Sequence, residues 1–134
     1  MMHSQSACHY QLLETGIHQF VFTLPSRQAV DVWIQHLMTI YEQQQATLFL
    51  LDIRESGILP MTYVFQRLSQ WVATHPRRPL TYVALLHKDV APIALVQPFI
   101  HMLGIDGTYK MRFFGEQMRA QAVHWLLNQA VSVA

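Results

Sequence analysis

The sequence predicts a single α/β domain with one mixed, mostly parallel sheet of about five strands and with helices packed mainly on one face. Two observations predict this class. Short apolar segments alternate with segments of helical periodicity in the order ββαβαβαβα, and parallel neighbours need such crossover connections. Residues 47–52 and 81–86 are almost wholly apolar, as strands covered on both faces are. The chain of 134 residues has the size of one domain, which we place at residues 10–131 after a frayed tail at 1–9.

A β-hairpin is predicted to open the domain. Two short segments, 10–14 and 17–23, flank Thr15-Gly16, and the second begins with alternating apolar and polar residues. This hairpin would add one antiparallel pair to the sheet.

A helix is predicted to follow the hairpin. Pro25 interrupts the chain, and Ser26 can act as the N-cap of a helix from about Arg27 to Gln44. Its apolar residues recur at helical spacing and form one face. They are Val30, Trp33, Ile34, Leu37, Met38 and Tyr41.

A buried strand at 47–52 ends with Asp52 and leads to a second helix. Pro60 can occupy the first turn of that helix, and Pro76 ends it. Its apolar stripe is expected to face the sheet. The stripe consists of Tyr63, Val64, Leu68, Trp71 and Val72.

The remaining segments complete the alternation. A second buried strand at 81–86 precedes a predicted third helix at 92–103, which Gly104 ends. Residues 109–114 alternate like an edge strand, and 116–129 form a predicted closing helix.

The composition indicates an apolar recognition surface. Apolar residues make up 51% of the chain and charged residues 13%, with a mean hydropathy of +0.16. We therefore expect a self-association face, with a homodimer as the assembly, or an apolar ligand groove. The alternative is a scatter of single exposed apolar residues, as on any protein surface.

Charge, cysteine content and hydropathy limit the binding partners and the cellular compartment that we expect for this protein. The net charge of +1 gives no basic footprint for nucleic acid. Cys8 is the one cysteine, which excludes an intrachain disulfide and favours a reducing, cytoplasmic setting. No signal peptide and no apolar stretch of bilayer-spanning length is found, which leaves open only peripheral contact with a membrane.

The sequence contains no recognisable catalytic, metal or cofactor motif. Of its eight histidines none has a partner four residues away on a predicted helix, so we expect surface or hydrogen-bonded histidines and no metal site. Asp52 and Glu55 could form an acid–base pair, but a strand-end aspartate generally caps a loop or pairs with a neighbour such as Arg54. No glycine motif for phosphate is present. We therefore expect a protein that is not an enzyme and needs no cofactor.

The loop at 52–60 is a candidate regulatory site. It lies beyond the carboxyl end of a strand, where open parallel sheets form crevices, and it leads into a helix N-terminus that favours negative charge. A phosphate on Ser56 would lie in that field, so Ser56 is a candidate phosphorylation site. The alternative is a simple helix-entry turn.

A second candidate site is a set of flexible and aromatic apolar residues on the second and third helices. Methionines with aromatics can line an adaptable apolar pocket, although they are equally typical of an ordinary core. The candidate ligand-binding residues are Leu59, Met61, Phe65, Phe99 and Met102.

The end of the chain resembles a known family. Residues 111–116 (MRFFGE) followed by 122–126 (AVHWL) look like the closing signature of the SpoIIAA-like proteins. These belong to the STAS superfamily, named for sulfate transporters and anti-sigma-factor antagonists. Residues 48–52 and 81–86 resemble the third and fourth strands of that family, and the resemblance covers about residues 10 to 130.

The resemblance implies a STAS or SEC14-like fold and a non-enzymatic module. Such modules are associated with phosphorylation-switched protein binding or with carriage of a small apolar ligand. In the regulatory branch the switch serine lies in an Asp-Ser-Ser-Gly motif. Here Glu55-Ser56-Gly57 matches only part of that motif in a shorter loop, which favours the SpoIIAA-like branch.

Two functions follow as hypotheses. In the first, the domain binds a lipid-like small molecule or a membrane-associated partner through mobile helices around 61–71 and 92–102. In the second, it is a regulatory protein-interaction domain that binds itself or a regulator, with Ser56 as the switch. We favour the first.

Overall fold

The fold is an α/β sandwich around a five-stranded sheet. A computed structural model describes residues 7–43, 46–75, 80–88 and 109–133. The strands are β1 (Cys8–Leu12), β2 (Ile17–Phe22), β3 (Thr47–Asp52), β4 (Thr81–Leu86) and β5 (Tyr109–Phe114). The helices in the described part are α1 (Arg27–Tyr41), α2 (Met61–Thr74) and α3 (Arg119–Val133).

The strands lie in the sheet in the same order as in the chain. β1 pairs antiparallel with β2, and every other neighbouring pair is parallel. Leu13 and Gly16 close the hairpin through the bonds Leu13 N to Ile17 O and Gly16 N to Leu13 O, each 2.9 Å. The predicted fold class and its one antiparallel pair are thus confirmed, while the predicted helix at 92–103 lies outside the described residues.

The prediction of a frayed tail at 1–9 is wrong for residues 7–9. β1 begins at Cys8, which lies opposite Phe22, and Ala7 accepts a hydrogen bond from the Thr23 amide at 2.9 Å. Ala7 and Cys8 are 3% and 2% exposed. Two small apolar residues among polar ones carry no periodicity, so only the pairing of Cys8 with β2 and the hydrogen bond of Ala7 reveal that this segment is ordered against the sheet. Residues 1–6 lie outside the described part.

Two apolar cores lie on opposite faces of the sheet. α1 and α2 pack on the face that carries Phe20, Phe49 and Val83. α3 covers the other face with Ala122 and Leu126, both wholly buried. Every residue of β3 and β4 is buried, as predicted for strands covered on both faces. Two of the three described helices, α1 and α2, lie on one face of the sheet, as expected. The third, α3, lies on the other face.

The two helices on the first face are bound to the core to different extents. The hydroxyl of Ser26 accepts a hydrogen bond from the Ala29 amide at 3.1 Å, which confirms the predicted N-cap of α1. α1 buries seven side chains, whereas α2 buries only Val64 and Leu68. Pro60 is the N-cap of α2, one position before the predicted one, and it supplies no side-chain cap. α2 therefore contributes a smaller share of the core.

Candidate functional site

The residues predicted to bind an apolar ligand lie in different environments. Leu59 is 9% exposed and belongs to the first core, and Met61 packs against that core. Phe65 is 37% exposed on α2. Phe99 and Met102 lie outside the described residues. Leu59 and Met61 are thus part of the core, as the alternative interpretation predicted. A ligand site formed jointly by the five predicted residues stays a prediction.

Ser56 lies in a tight turn between β3 and α2. Its half-buried hydroxyl donates a hydrogen bond to the Gly57 carbonyl at 2.9 Å. Gly57 has φ = +76°, a value that favours glycine, and its amide donates to the Ile53 carbonyl at 2.9 Å. Pro60 separates this turn from the first residue of α2, so Ser56 does not cap the helix. Phosphorylation of Ser56 stays a prediction.

Asp52 at the end of β3 pairs with Arg54. This is the pairing that the sequence favoured over an acid–base role. The Arg54 guanidinium donates to both carboxylate oxygens, from Nε to Oδ1 at 2.9 Å and from Nη2 to Oδ2 at 2.7 Å. The Arg54 amide also donates to Oδ1, and Nη1 reaches the Glu116 carbonyl at 3.0 Å. Hydrogen bonding to Asp52 raises the pKa of Arg54. The pair ties the end of β3 to the turn after β5.

Replacing Asp52 is expected to cost more stability than replacing the carboxylate of a surface ion pair. The Asp52 side chain is 11% exposed, and Asp52→Asn would leave three donors of Arg54, its backbone amide, Nε and Nη2, with a weaker acceptor. We expect a loss of about 1–2 kcal/mol in the free energy of unfolding. Asp31→Asn is the matched control, because Asp31 is 46% exposed and pairs with Arg67. That change should cost about 0–1 kcal/mol. Urea unfolding of both variants measures the difference, and equal losses would contradict a structural role of the Asp52 pair.

Three titratable side chains with rings lie together near the start of β2, where His18 and His36 both contact Tyr10. The Tyr10 hydroxyl lies 2.7 Å from Nδ1 of His18, and the Tyr10 ring stacks on His36 with centroids 4.5 Å apart. Burial lowers the pKa of His18 and raises the pKa of Tyr10, so the neutral forms of both are favoured. Within the described residues no three His, Cys, Asp or Glu side chains converge as metal ligands.

A groove between β5 and α3 is a concave site formed by residues in the described part of the chain. It has a volume of about 460 Å³. Its apolar lining consists of Phe114, Met118, Ala120 and Trp125. Its polar lining consists of Arg112, Gln121, His124 and Asn128. The volume lies within the range of small-molecule sites, about 300–1,000 Å³.

Strand and helix periodicity place these side chains together. Arg112 and Phe114 are two residues apart on β5 and therefore point to the same face. Gln121, Trp125 and Asn128 follow each other at spacings of four and three on α3, and so lie on one side of the helix. The Trp125 ring packs against Phe114 at 6.1 Å and against Tyr82 at 6.3 Å between centroids. These contacts fix the indole against the sheet.

The groove carries a positive charge above an apolar floor. Phe114 is 4% exposed, and the Arg112 guanidinium lies 5.4 Å from its ring centroid. The ion pairs of the described residues are Asp52 with Arg54 and Asp31 with Arg67, so Arg112 is in neither. None of the described lining residues carries a carboxylate. The groove is thus suited to a partner that is apolar, anionic or both.

A second depression, of about 410 Å³, lies along α1. Its described lining residues are Gln35, His36, Met38 and Thr39 of α1 and Glu42, the C-cap residue of that helix. Because a single helix supplies these side chains, this lining surrounds a ligand less completely than the groove between β5 and α3.

The groove was not predicted from the sequence. Arg112, Phe114 and Trp125 lie in the segments that carry the family resemblance, and the sequence predicts no binding role for them. The signal in the sequence is the spacing of Met118, Gln121 and Trp125, which are three and four residues apart and form a second stripe beside the buried Ala122 and Leu126. The shared groove lining with Arg112 and Phe114 shows that this second stripe faces β5.

Comparison with protein-family models, with curated proteins and with solved structures gives no match. Membership of the SpoIIAA-like family therefore stays a prediction. None of the three helices in the described ranges combines the length and hydropathy that a bilayer-spanning segment needs.

Proposed function

We propose that this domain is a non-enzymatic binding module that holds a small, lipid-like apolar ligand in the groove between β5 and α3. The observation that carries the proposal is the apolar floor formed by Phe114, Met118 and Trp125. Met118 is 40% exposed, so its thioether side chain is accessible to a ligand.

The energetics of burial support a ligand with an alkyl chain. Each methylene moved from water into an apolar site contributes about 0.8 kcal/mol, so a chain of about eight methylenes gains about 6 kcal/mol before the cost of association. A site of about 460 Å³ has room for a chain of this kind.

The positions of the groove walls support binding without rearrangement of the core. Ala122 and Leu126 hold the inner side of α3 against the sheet, and both are wholly buried. The opposite wall is β5, which is hydrogen-bonded to β4 along its whole length.

Filling the groove should abolish ligand binding. We expect Ala120→Trp, at an exposed position in the groove, to block 1-decanol, used as a neutral apolar probe. Ala73→Trp is the matched control, because Ala73 is exposed on α2, outside the groove. Circular dichroism would establish that both variants fold, and calorimetric titration would measure binding.

The outcomes separate the two candidate surfaces. Loss of decanol binding in Ala120→Trp alone supports the groove. Loss in Ala73→Trp alone would overturn it in favour of the surface around α2. Native mass spectrometry of freshly purified protein adds a test without a chosen probe, because it reports any retained lipid together with the subunit number.

A further inference from the structure

The position of Arg112 indicates the chemical class of the ligand. Resting on the proposed function, we propose that the groove between β5 and α3 binds an amphipathic anion, an alkyl chain that ends in a carboxylate, with Arg112 as the residue that binds the carboxylate. The apolar floor would hold the chain, and the guanidinium would hold the head group.

The charge distribution of the groove carries this inference. Arg112 is exposed, and within the described part of the chain it belongs to neither ion pair. The other three polar lining residues are Gln121, His124 and Asn128, none of which is an acid. A carboxylate entering this groove therefore meets a positive charge and no competing negative side chain from its described lining.

The geometry of the guanidinium favours a carboxylate head group. Arginine presents two parallel N–H groups that match the two oxygens of a carboxylate. The Arg112 guanidinium already lies over the Phe114 ring, 5.4 Å from its centroid, which limits the orientations it can take. The head group and the beginning of the chain are thus bound by adjacent side chains of one strand.

Elsewhere in the described structure, arginines have other roles. Arg54 and Arg67 are held by Asp52 and Asp31. Arg27 lies over the Tyr63 ring at 5.1 Å, an arrangement like that of Arg112, but it is not part of the groove lining. Arg27 therefore serves as an internal control for the effect of removing one exposed arginine from an aromatic ring.

The test compares a carboxylate with a neutral ligand of the same chain length. Calorimetric titration with decanoate and with 1-decanol would be performed on the wild-type protein and on Arg112→Gln, Arg112→Lys and Arg27→Gln. We expect Arg112→Gln to weaken decanoate binding by about tenfold or more and to weaken decanol binding much less, so that the ratio of the two affinities changes. Arg112→Lys should retain part of the affinity, because it keeps the charge and loses the paired donors. Arg27→Gln should change neither ligand.

The results distinguish failure of this inference from failure of the proposed function. If decanol binds, Ala120→Trp blocks it, and Arg112→Gln weakens both ligands equally or neither, the groove binds apolar ligands but Arg112 does not select a carboxylate. If Arg27→Gln weakens decanoate as strongly as Arg112→Gln, the effect comes from net charge and the inference is overturned. If neither ligand binds the wild-type protein, the proposed function fails as well.

Discussion

Cys8 in the folded protein is expected to react with iodoacetamide about 1,000-fold more slowly at pH 8 than the same cysteine in the unfolded chain. The side chain is 2% exposed, and burial raises the pKa of the thiol from its ordinary 9.0 to about 12. The thiolate is the reactive form, and its fraction at pH 8 falls by about the same factor. Mass spectrometry of timed samples in buffer and in urea measures both rates, and the single cysteine makes the adduct unambiguous.

The same shift predicts a pH dependence of stability. Because the folded-state pKa of Cys8 lies above the unfolded-state value, folding favours the protonated thiol. Its contribution is complete below about pH 9 and is lost as the pH rises toward 12, by up to about 1.4 kcal/mol per pH unit. Cys8→Ala should remove this slope. Rapid alkylation of the native protein, or an unchanged slope in Cys8→Ala, would contradict the burial of Cys8 in β1.

Phe49→Ala is expected to lower the free energy of unfolding by about 3–5 kcal/mol. Phe49 is 2% exposed in the central strand β3. Its ring packs against those of His18, Phe20 and Tyr41, with centroids 5.6 to 5.9 Å away. Truncation would leave a cavity lined by rings that cannot collapse into it without moving β2 or α1. Urea unfolding monitored by circular dichroism measures the change.

Phe65→Ala is the matched control for this prediction. It removes the same side chain from α2, where Phe65 is 37% exposed. We expect a loss below about 1 kcal/mol, because a half-exposed ring loses less burial and alanine favours a helix. Losses of equal size in the two variants would show that α2 is packed as tightly as β3, contrary to its two buried side chains.

The predictable part of the fold came from patterns within single elements. The apolar runs at 47–52 and 81–86 identified β3 and β4 because strands buried on both faces have no polar positions. Ser26 identified the start of α1 because its hydroxyl satisfies a backbone amide locally. Cys8 could not be assigned to a strand, because its position depends on pairing with Phe22 of β2, which no local pattern records.

The candidate site was less predictable because it depends on how two elements meet. Met61 and Leu59 have the composition of an adaptable pocket, but the loop and helix that carry them turn these side chains into the core. Arg112 and Trp125 are 13 residues apart in the chain and line one groove only through the path of α3 across the sheet. Side-chain periodicity predicts which residues share one face of an element. It does not predict how two elements are oriented relative to each other.

The order of the strands has a consequence for biosynthesis. Since each strand from β2 to β5 pairs with the strand that precedes it in the chain, no later segment has to insert between two strands that are already paired. The sheet can therefore grow outward from the β1–β2 hairpin as the polypeptide leaves the ribosome, with each edge serving as the template for the next strand. In such vectorial growth β5 adds last, and α3 then closes the remaining exposed apolar face, so a nascent chain that lacks α3 should be the species most in need of chaperones.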